Sequence, residues 1–160
     1  MERFQRSRLV DGDAVKFFQH WRHQVDIQNS KGIFVGGASG MCRATAEQFR
    51  AKGGEVAILD LPGSEGAAVA EQLGASFFPC DVTEYANTDQ AIADAVASLG
   101  ALHFVLNTAG GSNRAVGGSP QRTLKKDGTR HPTDVFQRVI ELNLIASFNI
   151  NTAAAQHMAK

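Results

Sequence analysis

Residues 34–49 read FVGGASGMCRATAEQF, an apolar run that tips through glycines into a helical pattern. Phe34 and Val35 end a short β-rich stretch begun at Gly32. From Gly40 the spacing of Ala44, Ala46 and Phe49 is helical as far as residue 52. A strand that turns on glycine into a helix N-terminus brings backbone N–H groups and the positive end of a helix dipole to one point, which suits a pyrophosphate. Gly36 and Gly40 present no Cβ to such a ligand. The third small position expected of such a loop holds Cys42. A side chain there overpacks the helix–strand contact at a cost on the order of 1–3 kcal/mol, so the loop is expected to bind a dinucleotide more weakly than one with glycine.

Outward from this stretch the pattern repeats. EVAILD (55–60) is strand-like and GSEGAAVAEQLG (63–74) helical with glycine at both ends. SFFPCDV (76–82) reads as a third strand, and residues 83–100 as a helix capped by Thr83 and closed by Gly100. LHFVLN (102–107) is a fourth strand, residues 107–131 a loop rich in Gly, Ser and Arg, and residues 132–160 one long amphipathic helix. Strands alternating with helices of this length build βαβ units and a parallel sheet, and strands apolar on both faces belong inside one. The expected architecture is α/β, one half of a doubly wound parallel sheet with strand order 3-2-1-4. LHFVLN is then an exposed apolar edge. The last helix, apolar at Val135, Phe136, Val139, Ile140, Leu142, Ile145 and Phe148, expects neighbours. A monomer that is marginal or dependent on assembly, with a homo- or hetero-oligomeric partner, follows from both.

Composition narrows the classes. Sixteen basic residues balance sixteen acidic ones in 160, so no global field draws the chain to nucleic acid or an anionic membrane. No apolar run is long enough to span a bilayer. Two cysteines, Cys42 and Cys80, are too few for a disulfide framework and read as reduced thiols. The expected location is cytoplasmic, with a mitochondrial one as the alternative. Residues 1–25 fit poorly with the rest of the chain. They carry the only Trp, a short amphipathic stretch DAVKFFQHW (13–21), and Arg3, Arg6 and Arg8 offset by Glu2, Asp11 and Asp13. They are set apart as an extension of unknown role, the Rossmann-type region being 26–160.

Asp60 ends the second strand twenty residues after Gly40, where a carboxylate accepts hydrogen bonds from the adenosine ribose hydroxyls. It would repel a 2′-phosphate, and Leu61 rather than a basic residue follows, so both features favour NAD over NADP. Asp81, beside Val82, either meets the adenine amino group or serves the next helix as an N-cap. Cys80 is a small buried apolar residue, and Cys42, at a helix N-terminus, is a candidate for a lowered thiol pKa.

GGASGMCRATA, Asp60 in LDLPGSEG, CDVT, LNTAGG and VIELNLIASFN, in this order and spacing, resemble the short-chain dehydrogenase/reductase family, nearest its branch of 3-hydroxyacyl-CoA and 17β-hydroxysteroid dehydrogenases. The resemblance runs from about Val25 to the last residue. It implies a Rossmann fold that binds NAD(H), with Gly36, Ser39, Gly40 and Met41 at the pyrophosphate. Asp60 and Leu61 would lie at the ribose, and Asp81 and Val82 at the adenine. Asn107, Ala109 and Gly110 would flank the nicotinamide-side ribose. Asn143 matches the family's active-site asparagine, where the side chain or a local kink helps hold a water in the proton relay. The implied partners are NAD(H) and a small alcohol or ketone, or an acyl-CoA.

The sequence departs from the family pattern at Val35 (for Thr), Cys42 (for Gly) and Thr108 (for the second Asn of its four-residue motif). The family's base is a Tyr with Lys four residues on and a Ser beside it. Here the only tyrosine, Tyr85, has Asp89 four residues on, and the Ser/Tyr/Lys element would follow Lys160. The expectations are therefore an NAD-dependent oxidoreductase by family, with the 160 residues themselves inactive. The alternative is a dinucleotide-binding or subunit-interaction fragment. A flavodoxin-like receiver with Asp60 as acceptor is the third reading, which LNTAGG and the Asp60 spacing disfavour.

Overall fold

A computed structural model describes residues 26–112, 123–124 and 126–159. The expected N-terminal helix and much of the 107–131 loop lie outside them. Four parallel strands, β1 (Lys31–Val35), β2 (Glu55–Asp60), β3 (Ser76–Pro79) and β4 (Phe104–Asn107), stand in the order β3-β2-β1-β4. Val35 pairs with Leu59 on one side and Asn107 on the other, while Asp60 pairs with Pro79. The carboxyl ends of all four strands thus finish along one edge, where open α/β sheets bind ligands.

Period-two alternation divides the strand residues between two cores. Phe34, Val56 and Ile58 face α1 (Gly40–Ala51) and α2 (Gly66–Leu73), packing with Cys42, Ala46, Phe49 and Ala70. Ile33, Val35, Ala57 and Leu59 face α3 (Tyr85–Leu99) and a later helix, packing with Ile92, Ala95, Ile150 and Ala154. Helices cover both faces, which explains why the strands read as continuous apolar runs. In α1 the buried positions are Cys42, Ala46 and Phe49, whereas Ala44 faces solvent. The i, i+4, i+7 stripe therefore begins on the cysteine and passes over Ala44.

Three boundaries differ from expectation for local chemical reasons. The third strand stops at Pro79 because Asp81 Oδ1 accepts the Thr83 N–H at 3.0 Å and its hydroxyl at 2.7 Å, bending the chain away from the ladder. Thr83 is thereby committed to Asp81 and does not cap α3, whose N-cap is Glu84 with no side-chain bond. Gly100 ends α3 at φ 78 and Gly74 ends α2 at φ 58, both left-handed as glycine permits.

The last helix is not one helix. It runs as α4 (Thr133–Ile140), a π turn over Glu141–Ile145, and α5 (Ala146–Met158). Asn143, in the middle of the π turn, donates from Nδ2 to the Val139 carbonyl at 2.8 Å, giving it a side-chain partner where the backbone ladder widens. α5 buries Ala146, Ile150 and Ala154, while Phe136, Leu144, Ile145 and Phe148 remain exposed.

Candidate functional site

Gly36 turns the chain out of β1 at φ 80, and its N–H donates to Leu59 C=O at 2.8 Å. A Cβ at Gly36 would stand 2.8 Å from the Ala109 backbone nitrogen, so the glycine is required by the neighbouring strand end rather than by a ligand. Gly40, also left-handed at φ 57, is the reverse case: a Cβ there would meet no protein atom within 4 Å. It opens onto free space at the start of α1. Ser39 N-caps that helix in extended conformation without a side-chain bond. The first amides of a helix have no partner within it, and here they border the cleft.

Asp60 holds this loop in place. Its Oδ2 accepts the Ala38 N–H and its Oδ1 the Leu61 N–H, both at 2.8 Å. A carboxylate has about four lone-pair sites, so each oxygen can still accept from a ribose hydroxyl. Asp81, one strand further, is occupied by Thr83, and its own N–H donates to Asn87 Oδ1 at 3.0 Å. It shapes the turn before α3 instead of capping the helix, and its side chain remains on the cleft wall.

The cleft has a volume of about 520 Å³, within the usual range of small-molecule sites. Of the residues that the sequence singled out, Gly36, Ser39, Gly40, Met41, Asp60, Leu61, Asp81, Val82, Ala109 and Gly110 line it. Thr83, Cys80, Thr108 and Leu142 line it as well. Thr83 and Leu142 were not anticipated, and only their places beside Val82 and Asn143 pointed to them. Met41 and Leu61 are exposed, leaving an apolar lip on the cleft.

Asn107 and Asn143 do not line the cleft. They brace its far end. Asn107 Oδ1 accepts the Ala109 N–H at 3.0 Å, and its Nδ2 donates to Ser147 Oγ at 3.0 Å. Ser147 Oγ in turn donates to the Asn143 carbonyl at 2.8 Å. The Asn143 side chain grips Gly111 on both sides, Oδ1 accepting its N–H at 2.9 Å and Nδ2 donating to its C=O at 2.8 Å. This pairing mimics a strand neighbour and holds the segment after β4 against the π turn. Gly110 is glycine for the same reason: a Cβ would lie 2.7 Å from Asn143 Oδ1. The turn in which Asn143 sits is thus the π turn, which also carries the Gly111 contacts. Ser147, which completes the network, was missed by the sequence because it serves as a link and not as a ligand.

Both thiols are buried, and the lowered thiol pKa considered for Cys42, a position where a reactive role is not expected, is not found. Burial pushes its pKa up to about 11, with a smaller opposing effect from the Thr108 side chain and a further rise from the Asp60 charge. The helix N-terminus does not win because the sulfur is buried, donating to the Val35 carbonyl at 3.4 Å. Cys80 is raised too, first by burial. Among the described residues no group of three or more His, Cys, Asp or Glu is placed to hold a metal ion, and no helix is long and apolar enough to cross a membrane.

Comparison with known proteins agrees with this geometry. Residues 36–160 match the family described as enoyl-(acyl carrier protein) reductase. The chain is 37% identical over 136 residues to the 3-hydroxyacyl-CoA dehydrogenase type-2 of Homo sapiens, covering 84% of this chain and 50% of that protein. It is 35% identical over 127 residues to the protein of the same name from Drosophila melanogaster, covering 78% and 48% respectively. It is also 28% identical over 132 residues to the mitochondrial borneol dehydrogenase of Lavandula x intermedia, covering 82% and 48%. The chain spans about half the length of the curated relatives it matches. A four-stranded 3-2-1-4 sheet, a glycine turn held by the carboxylate at the end of the second strand, and matches to dehydrogenases along most of its length lead to one conclusion: the chain belongs to the short-chain dehydrogenase/reductase family.

Proposed function

We propose that these residues form the dinucleotide-binding side of an oxidoreductase that interconverts a secondary alcohol and a ketone with NAD(H) as cofactor. The observation that carries the reading is the pair of Asp60 and Gly40. A carboxylate that already holds the glycine loop stands at the end of β2, and an open cradle lies at the start of α1. In this reading the pyrophosphate lies over Gly40 and Met41, the adenosine ribose hydroxyls donate to Asp60, and Val82 and Leu61 flank the adenine. The end of β4, braced by Asn107 and Asn143, supports the nicotinamide-side ribose. The cofactor supplies hydride acceptance and donation; the residues here bind it, orient it and exclude water from its underside. Asp60 and Leu61, at the position of a 2′-phosphate, favour NAD over NADP by charge. The relatives named 3-hydroxyacyl-CoA dehydrogenase support a 3-hydroxyacyl-CoA as substrate. The exposed Phe136, Leu144, Ile145 and Phe148 support assembly with another subunit.

A second reading is a dinucleotide-binding or subunit-interaction module with no hydride transfer of its own. Tyr85, which begins α3 with Asp89 four residues on and does not line the cleft, is not the base of such a transfer in either reading.

Calorimetric titration of the purified chain with NAD⁺, NADH and NADP⁺ tests the common element of both readings. NADH is expected to bind, NADP⁺ more weakly, and Asp60→Ala to lose roughly tenfold or more in NADH affinity, in line with a charge-assisted hydrogen bond. A folded chain that ignores millimolar NADH would overturn both. Oxidation of a 3-hydroxyacyl-CoA by a binding-competent chain would exclude the second.

A further inference from the structure

Asp60 and Asp81 both stand on the cleft wall, and the protein engages them differently. Asp60 divides its donors, the Ala38 N–H reaching Oδ2 and the Leu61 N–H reaching Oδ1. Asp81 receives both of its donors on one oxygen, with the Thr83 N–H at 3.0 Å and the Thr83 hydroxyl at 2.7 Å from Oδ1. Among the described residues no protein group donates to Asp81 Oδ2. The main chain of Asp81 is committed as fully. Its N–H donates to Asn87 Oδ1 at 3.0 Å, and its carbonyl accepts the Glu84 N–H at 3.0 Å. The hydroxyl of Thr88, a side chain wholly withdrawn from solvent, lies 3.3 Å from the same carbonyl and 3.1 Å from that of Glu84.

This arrangement has a chemical consequence. Asn87 and Thr88 belong to the first turn of α3, so the helix itself holds the Asp81 backbone, and Thr83 holds the carboxylate. A carboxylate with two donors on one oxygen cannot swing without straining both, so the direction of Oδ2 is fixed with the rest of the turn. An ionised carboxylate accepts hydrogen bonds and never donates. A fixed, acceptor-only oxygen on a cleft wall favours a ligand that brings an N–H to it and opposes one that brings a lone pair. Val82 and Leu61 line the same cleft and offer apolar surface to a flat ring beside that oxygen.

We propose that Thr83 and Asn87 are positioning residues that aim Asp81 Oδ2 at the exocyclic amino group of the adenine, making this end of the cleft selective for an amino-bearing purine over its carbonyl analogue. The inference rests on the dinucleotide reading for its ligand. What it adds is the base selectivity and the side chains that set it.

Calorimetric titration of the full chain with NADH and with its hypoxanthine analogue, in which a carbonyl oxygen replaces the amino group and N1 carries a proton, reads the selectivity as a ratio of affinities. The parent is expected to bind NADH about tenfold more tightly, the worth of one charge-assisted hydrogen bond in a partly solvated cleft. Thr83→Val, which keeps the N–H but removes the hydroxyl, should lower the ratio to about threefold or less. Asn87→Ala should lower it by a smaller factor, and Thr83→Ser should keep the parent ratio. A general loosening of the fold weakens both ligands alike and leaves the ratio unchanged. A parent that binds both dinucleotides equally, or a Thr83→Val chain that loses affinity for both in step, would overturn the proposal and leave the dinucleotide reading standing. A folded parent that binds neither overturns both. Should Thr83→Val fail to fold, Asn87→Ala at its exposed position decides: a lowered ratio supports the aiming of Oδ2, and an unchanged one refutes it.

Discussion

At the Gly36–Gly40 end of the cleft, the chain is held by backbone groups and a single carboxylate, with Asp60 reaching 22 residues back to Ala38. At the Asn107–Gly111 end, side chains do the holding and the spans are longer. Asn107 reaches Ser147 over 40 residues and Asn143 reaches Gly111 over 32. The first end is a conformation, a sharp turn that glycine permits and a strand carboxylate secures. The second is a joint, in which two otherwise separate segments are clipped together by amide side chains. A conformation is spoiled by added atoms, a joint by removed ones.

That contrast is broken most easily at Gly36. Gly36→Ala adds a Cβ both at φ 80 and 2.8 Å from the Ala109 backbone. Left-handed strain and backbone overlap together are expected to cost about 3 kcal/mol or more in urea unfolding. Gly40→Ala meets no protein atom, so only the strain of φ 57 remains. It should cost about 1 kcal/mol of stability while its methyl group intrudes on the cradle and lowers NADH affinity. Equal stability losses at the two glycines would show that the loop is looser than its contacts imply.

The joint is tested by removal. Asn143→Ala deletes two bonds to Gly111 and one to Val139. Partly solvated bonds of this kind sum to about 2 kcal/mol, and hydrogen exchange of the Gly111 amide should accelerate beyond that of the Gly36 amide. Asn143→Asp keeps an acceptor for the Gly111 N–H but sets a carboxylate oxygen against the Gly111 and Val139 carbonyls, so it should lose at least as much as Ala. If exchange at the two amides rises together, the ends of the cleft are one unit and the comparison fails.

The smallest effect concerns pH. The Cys42 thiol ionises near its ordinary value of 9.0 in an open chain and at about 11 when folded. Above about 9 the unfolded chain releases a proton that the folded chain keeps, so folding stability is full below this point and is lost as pH rises towards 11. Cys80, raised in the same direction, adds to the slope. Cys42→Ser should flatten the decline without abolishing it, as measured by unfolding midpoints across that range. An unchanged slope would mean that the sulfur ionises freely in the fold.

The sheet was legible because its information is local and repetitive. EVAILD and GIFVGG are apolar on both faces, and only parallel strands covered by helices on both sides need that. Gly74 and Gly100 marked helix ends because no other residue adopts their backbone so cheaply. Most of the cleft was legible as well, since Gly36, Gly40, Asp60 and Asp81 fall at strand ends that the parallel register brings level. The boundaries at Pro79 and Thr83 were not, because a single Asp81 carboxylate outcompeted strand propensity for the Thr83 N–H and took the hydroxyl that would have capped the helix.

By itself, the sequence determined the alternation of elements, the strand order and the edge along which the cleft opens, because periodicity, glycine spacing and the placement of a strand-end carboxylate are properties of neighbours along the chain. Only the tertiary structure decided that Cys42 is an inert buried donor, that the last helix breaks at Asn143, and that Gly36 is forced by Ala109. Each of those depends on which distant backbone comes within about 4 Å, the reach of van der Waals and hydrogen-bond contact, and no spacing of residue types records that distance.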